Sequence, residues 1–390
     1  FYAGPTRDHA RGRQWGARAL ALIGATGDDP AKAAGVRLLM ASLELSEGRL
    51  RAATSQLDTA AAGFEGGVPR EVAVVLAGRR AEILLAQDRP REAAVAFQQA
   101  TPGAPGVPAA EHHVLRQVRH GLFNALAASG QSMRVEALRG ELEGWTRDPE
   151  HGWVFALLLG AHELQLGRVQ TALSRFREAE ATVAARPSAP PAFLAFVRLR
   201  IARALVVQQS TVAARELLTE LLAEDSDSPV RDRAVNCLLG LADLDLAAGD
   251  YGGARARLDQ ADQRLEDISS PATPTLRAWV AFGRTKLALQ TGDLAAAHQS
   301  LGSDAVDNGA IARRAGESFT ALWLSAELAA HEGRWTEARR YLQQAVAGIL
   351  SRGGSPFLLG RCRRAIDRLE RAAAAGSRGG TLGLLQDPAL

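Results

Sequence analysis

Apolar and polar positions along the chain repeat with a long period. Amphipathic segments come in pairs, and each pair closes on a short turn: ELSEG ending at Gly48, LLAQD at Asp88, LAASG at Gly130, LQLG at Gly167, LVVQQ at Gln209, LAAGD with Gly249, LQTGD with Gly292 and AAHEG at Gly333. The turns follow one another at intervals of 37 to 43 residues, and self-similarity at a fixed period of this size marks repeat architectures. Five residues after the turns stands a small side chain, at Ala53, Ala93, Val135, Ala172, Ala214, Ala254, Ala297 and Ala338. Four further on comes a larger apolar one (Leu57, Phe97, Phe176, Leu218, Leu258, Leu301, Leu342), and three beyond that often an alanine (Ala60, Ala100, Ala179, Ala261, Ala345). Offsets of four and three keep side chains on one face of an α-helix, so this spacing predicts the second helix of each pair.

The first helix is as regular. Seven residues before the turn the side chain is usually small (Ala41, Ala81, Gly160, Ala202, Ala242, Thr285, Ala326), and three before it is apolar in all eight units. Small residues at helix crossings let backbones approach closely. Between the pairs lie stretches rich in Pro, Gly, Ser and Asp: Thr101 to Ala109, Ala185 to Ala192, Glu224 to Pro229 and Ser269 to Pro274, chemistry that stops helices. Ser228 before Pro229 has the order of a capping hydroxyl followed by a first helical residue that needs no N–H partner. The third unit is the least regular, because GQSMRVEALRGEL keeps its apolar spacing only if its turn is longer by two or three residues. Residues 9 to 24 read as a capping helix whose inner face carries Trp15, Ala19 and Leu22, Pro356 to Ala375 as a C-terminal one, and Gly376 to Leu390 as a flexible tail. Such caps keep end repeats from exposing an apolar face.

Composition narrows the picture. With 390 residues, 47% hydrophobic and 23% charged, wholesale disorder is excluded. The longest near-apolar stretch, Trp153 to Ala161, is about half a membrane span, so a transmembrane helix is not expected. Of 46 basic residues only Lys32 and Lys286 are lysines, an excess of arginine that reflects a GC-rich coding sequence rather than a site. The 43 acidic residues are interspersed with the basic ones, and the net formal charge is +3. This lacks the one-sided basic footprint of a nucleic-acid binder, so no direct nucleic-acid contact is expected. Cys237 and Cys362 stand far apart without metal-like spacing and read as buried thiols in a reducing, cytoplasmic setting. The chain opens on Phe1, as a processed form or a fragment would, and its first thirty residues lack a secretory-signal pattern.

The best copies of the unit are GDYGGARARLDQA (Gly249 to Ala261), GRWTEARRYLQQA (Gly333 to Ala345) and GRVQTALSRFREA (Gly167 to Ala179). This pattern resembles the tetratricopeptide repeat over residues 31 to 346. The period is about 41 rather than 34, which looks more like the tetratricopeptide-like region of large bacterial transcriptional activators of the maltose-regulator type. The expected fold is all-α: a right-handed superhelical α-solenoid of about eight helix-turn-helix repeats with capping helices. Its expected organisation is an N-terminal cap over 1–30, the array over 31–346, a C-terminal cap over 347–375 and a tail over 376–390.

Catalytic and metal motifs carry little. LIGATGD (Leu22 to Asp28) lacks the G-x-G-x-x-G spacing of a dinucleotide turn. Glu111-His112-His113 and His331-Glu332 lack two ligands at i and i+4 with a third partner. No Gly-x-Ser-x-Gly elbow and no P-loop occur. No enzyme activity, metal or cofactor is expected.

The resemblance implies that the first-helix position six residues before the turn lines a concave face. That ladder reads Ser42, Glu82, Asn124, Ala161, Arg203, Asp243, Lys286 and Glu327. Ten before the turn stand His120, Phe282 and Trp323 among leucines and Gly78, and Trp279 lies a turn before Phe282. The reading is a groove of mixed charge with an aromatic end, suited to a protein, a peptide or a small polar effector. Its candidate residues are Glu82, His120, Asn124, Arg203, Asp243, Trp279, Phe282, Lys286, Trp323 and Glu327; the bland alternative is that they solvate an inner wall. Removal of Lys286 or Glu327 is expected to leave folding nearly unchanged, within about 0.5 kcal/mol. The leading function is a non-enzymatic scaffold for a protein or peptide partner. The alternatives are an effector-sensing domain of a larger bacterial transcription regulator, whose DNA-binding part lies outside this chain, and an accessory domain of a protease or defence effector.

Overall fold

The computed structural model describes residues 9–375 except 27–28, 47, 65–66, 88, 101–111, 130, 149–150, 187–188, 225–230, 267–272, 303–314 and 352–355. The expected tail, the Ser228–Pro229 cap, most of the Pro-rich breaks and the side chains of His112 and His113 lie outside the described residues. Those residues form eighteen α-helices and no strand. In order they are α1 (His9–Thr26), α2 (Pro30–Ser46), α3 (Leu50–Ala62), α4 (Arg70–Ala86), α5 (Pro90–Ala100), α6 (His112–Ser129), α7 (Ser132–Trp145), α8 (Gly152–Gln165) and α9 (Val169–Ala184). Then follow α10 (Pro191–Val207), α11 (Thr211–Ala223), α12 (Arg231–Ala248), α13 (Tyr251–Glu266), α14 (Thr273–Thr291), α15 (Leu294–Leu301), α16 (Ala315–His331), α17 (Trp335–Ser351) and α18 (Pro356–Ala374). The chain divides into two compact units, Phe1–Leu138 and Arg139–Leu390.

The turns repeat in three dimensions as they do in sequence. Gly48, Gly167, Gly249, Gly292 and Gly333 adopt φ between 73° and 77°, and Gln209 takes the same left-handed conformation at 65°. Glycine recurs here because a Cβ is penalised in that region. The residue after each turn donates its N–H five residues back: Arg49 to Glu44, Arg89 to Leu84, Gln131 to Leu126, Arg168 to Glu163, Ser210 to Leu205, Asp250 to Asp245, Asp293 to Ala288 and Arg334 to Ala329. With the shorter bond from the turn residue itself, as from Gly167 to the Leu164 carbonyl at 3.0 Å, this is the Schellman arrangement that satisfies the last carbonyls of a helix. The third turn is therefore no longer than the others. Its unit differs in the helix that follows, where Leu138 packs one residue earlier than the large rung of the other units.

The rungs are buried as the spacing predicts. Ala53, Ala93, Ala172, Ala214, Ala254, Ala297 and Ala338 are fully buried, and Leu57, Phe97, Phe176, Leu218, Leu258 and Leu342 nearly so. A further rung escaped the sequence reading. Gly121, Gly240 and Gly283, each nine residues before its turn, receive Phe97, Leu218 and Leu258 from the preceding second helix. A Cβ on Gly283 would stand 2.6 Å from Leu258 Cδ2, and one on Gly240 2.9 Å from Leu218 Cδ1. The large rung thus fastens one hairpin to the next.

In the first unit, α1 packs on α2, though not through the expected face. Trp15 and Leu22 are 59% and 66% exposed, and Gly12 and Gly16 instead meet Leu43 and Met40. The glycines allow a closer approach than the tryptophan face would, so the helix turns that way and Trp15 stacks under Arg18 at the surface. In the second unit, α18 caps α16 and α17 through Cys362, Ala365 and Leu369. Its Phe357 also reaches the α8–α9 turn, where a Cβ on Gly167 would lie 2.6 Å from the ring.

Candidate functional site

The first helices α10, α12, α14 and α16 of the second unit pack side by side, which places the position six before the turn along one wall. On α10, Arg203 is exposed and donates through Nη2 to Asn236 Oδ1 on α12. Asn236 is held in that orientation because its Nδ2 donates to the Asp232 carbonyl at 2.7 Å. On α14, Lys286 Nζ reaches Asp243 Oδ1 of α12 at 2.9 Å; the side chains are 10% and 39% exposed. Two successive rungs of the ladder are therefore one ion pair.

Arg203 is open to water on one side and crowded by protein on the others. Desolvation, followed by the like charge of Arg200, pushes its guanidinium down to about 10, so it stays charged at neutral pH. Arg200 itself stacks over the Phe196 ring at 5.0 Å.

The last unit departs from expectation. Phe282 and Glu327 have no exposed surface and Trp323 has 1%, so these three do not face a ligand-accessible wall. Phe282 packs edge-on against Trp279, centroids 5.6 Å apart, and Trp279 is half-buried. Trp323 lies between Phe319 at 5.1 Å and the guanidinium of Arg361 at 5.2 Å. Glu327 is 3.8 Å from His331. The expectation that removing Glu327 is harmless is corrected with it: a carboxylate without exposure belongs to the packing, and its loss reaches the core.

In the first unit, Glu82 is half-buried and accepts from Arg79 at 2.6 Å. Asn124 Nδ2 and His120 Nε2 are 3.4 Å apart, and burial pushes the His120 imidazole down to about 4, keeping it neutral. These residues share the ladder position of the Arg203 row but lie in the other unit.

Sequence reasoning missed Asn236, which stands outside the ladder, and a set of buried acids four before the turn. Glu163, 2% exposed in its side chain, is bonded by Arg139 at 2.7 Å and Arg168 at 3.3 Å. Asp245 accepts from Arg215 at 2.5 Å, and Glu44 from Arg49. For Glu44 and Glu163 the available signal was the arginine directly after the turn, in GRL and GRV; Asp245 takes its arginine from the preceding second helix and had none. Among the described residues no three His, Cys, Asp or Glu side chains gather as a metal site, and no helix is long and apolar enough to cross a membrane.

No protein-family model matches the chain. No curated protein sequence matches it either. Solved structures do. A Rap protein complexed with competence and sporulation factor is 13% identical, with 79% of this chain and 89% of that one covered and a TM-score of 0.50. Aspartyl phosphate phosphatase F from Bacillus subtilis is 8% identical over 89% of this chain and 95% of that one, with a TM-score of 0.47. The tetratricopeptide domain of P58(IPK) is 13% identical over 95% and 99%, with a TM-score of 0.27. At such identities likeness speaks for the fold alone, and the first of the three carries it. Together with the repeated Schellman turns and buried rungs, it makes this chain a tetratricopeptide-like helical-repeat protein.

Proposed function

We propose that the chain is a scaffold without catalytic activity of its own, binding a protein or peptide along the first-helix wall of its second unit, the concave side of a right-handed superhelix. The observation that carries this reading is Arg203, an exposed charged side chain on a wall where Lys286 is engaged by Asp243 and Phe282, Trp323 and Glu327 are buried. Helices already stacked offer a surface that needs little ordering on binding. The Rap structure, a complex with competence and sporulation factor, supports a regulatory ligand for a fold of this kind. The long interval between turns favours, as a second reading, the sensor part of a larger bacterial transcription regulator; the effector would then bias two conformations of the array.

The test is affinity capture of partners with the full chain, followed by mass spectrometry. Asp243→Arg, on the wall, is expected to lose the captured partner, whereas Glu216→Arg, exposed on the second helix α11, keeps it. Loss with Glu216→Arg alone would move the binding face to the second helices and contradict the proposal.

A further inference from the structure

We propose that Arg203, oriented by Asn236, is a carboxylate-binding subsite that selects an acidic side chain in the bound peptide. This rests on the peptide-binding reading above and specifies the chemistry of one position of that ligand.

The argument starts from two arginines of one helix. Arg198 of α10 lies among three acids, at 2.9 Å from Glu180, 3.2 Å from Glu220 and 3.6 Å from Glu224. Arg203, little more than one turn later, has no ion pair among the described residues, and its hydrogen bond goes to the neutral amide of Asn236. A guanidinium presents five N–H donors in a planar fork, so most of that fork is left for water or a ligand. The larger charge effect on it comes from another cation, Arg200, with Asp243 acting in the opposite sense. The carboxylate that could have neutralised it, Asp243, is engaged by Lys286 at 2.9 Å.

Such a cation is exposed and poorly paired within the fold. A planar anion can accept two parallel hydrogen bonds from it. Asn236 contributes by position, since its amide is pinned by the Asp232 carbonyl and turns its oxygen toward Arg203. A polyanion is disfavoured because the row continues into Asp243, 39% exposed in its side chain, which would repel a second negative charge. Alternation of cation, acid and cation fits a peptide carrying one acidic residue among polar neighbours.

The probe is an array of immobilised hexapeptides in which one central position is fixed as Glu, Gln or Lys and the others are mixed. Fluorescently labelled full chain is applied. The Glu set is expected to retain the wild type about tenfold better than the Gln set, the scale of one charge-assisted hydrogen bond. That preference should vanish in Arg203→Gln. It should also vanish in Asn236→Asp, which keeps Arg203 but sets an internal carboxylate against it, and this variant keeps the test decisive if Arg203→Gln folds poorly. Retention without preference for Glu, or a preference surviving in both variants with unchanged thermal unfolding, would overturn the subsite alone. Retention of no set by the wild type would remove the peptide-binding reading, and the subsite with it.

Discussion

Arg203 on α10 and Glu327 on α16 occupy the same register, six residues before a left-handed turn residue. One is exposed and the other has no exposed surface. The difference lies in what stands opposite. Beside Glu327, one turn along α16, the ring of Trp323 is covered by Arg361 of α18, and the C-terminal helix seals that end of the wall. Arg203 is exposed, bonded to Asn236 of the neighbouring first helix α12. Register determines which face a side chain shares; neighbouring elements decide whether that face sees water.

The comparison can be broken most severely at its buried end. Trp323→Ala removes the ring on which Arg361 stacks and should cost about 3–5 kcal/mol, read as a lower midpoint in urea at unchanged slope. Next comes the fastening between hairpins: Gly283→Val drives new atoms into Leu258 and should cost about 1–3 kcal/mol, measured in the same way. At the open end, Arg203→Gln should change stability by no more than about 0.5 kcal/mol, since its bond is to a neutral, accessible amide. A loss comparable to that of Trp323→Ala would show that the wall is closed at α10 as well.

A pH titration sharpens the contrast between the two units. His120 is held down to about 4 in the folded state against 6.5 as its ordinary value. The unfolded chain therefore binds the proton first, and stability falls as pH drops from about 6.5 toward about 4. His120→Asn should flatten that limb in thermal unfolding of the full chain, while Arg203→Gln leaves it unchanged.

Much of the fold was legible in the sequence because the turns and crossings leave few choices. A left-handed residue calls for glycine, and two helices crossing closely call for alanine, so Gly48, Gly167, Gly249, Gly292 and Gly333 marked the period unaided. The glycine rung at 121, 240 and 283 was less visible, since other units place larger residues there and nothing local says that a neighbour's Phe97 or Leu258 enters. The face of α1 was misjudged for a related reason: Trp15 is the more hydrophobic candidate, but Gly12 and Gly16 permit the nearer approach. The candidate wall was legible as a ladder and not as a surface. Burial of Phe282, Trp323 and Glu327 depends on partners far along the chain, which periodicity does not encode. Asn236 stayed hidden because its role comes from orientation by the Asp232 carbonyl.

The contrast between the open and sealed ends is tested most directly by thiol labelling. Both native cysteines, Cys237 and Cys362, are buried, and burial pushes the Cys362 thiol up to about 11, so the background is low. Arg203→Cys and Glu327→Cys would each be treated with a maleimide under native conditions and followed by mass spectrometry. The account predicts rapid modification at position 203, and at 327 modification no faster than the protein unfolds. Equal rates at the two positions would contradict it.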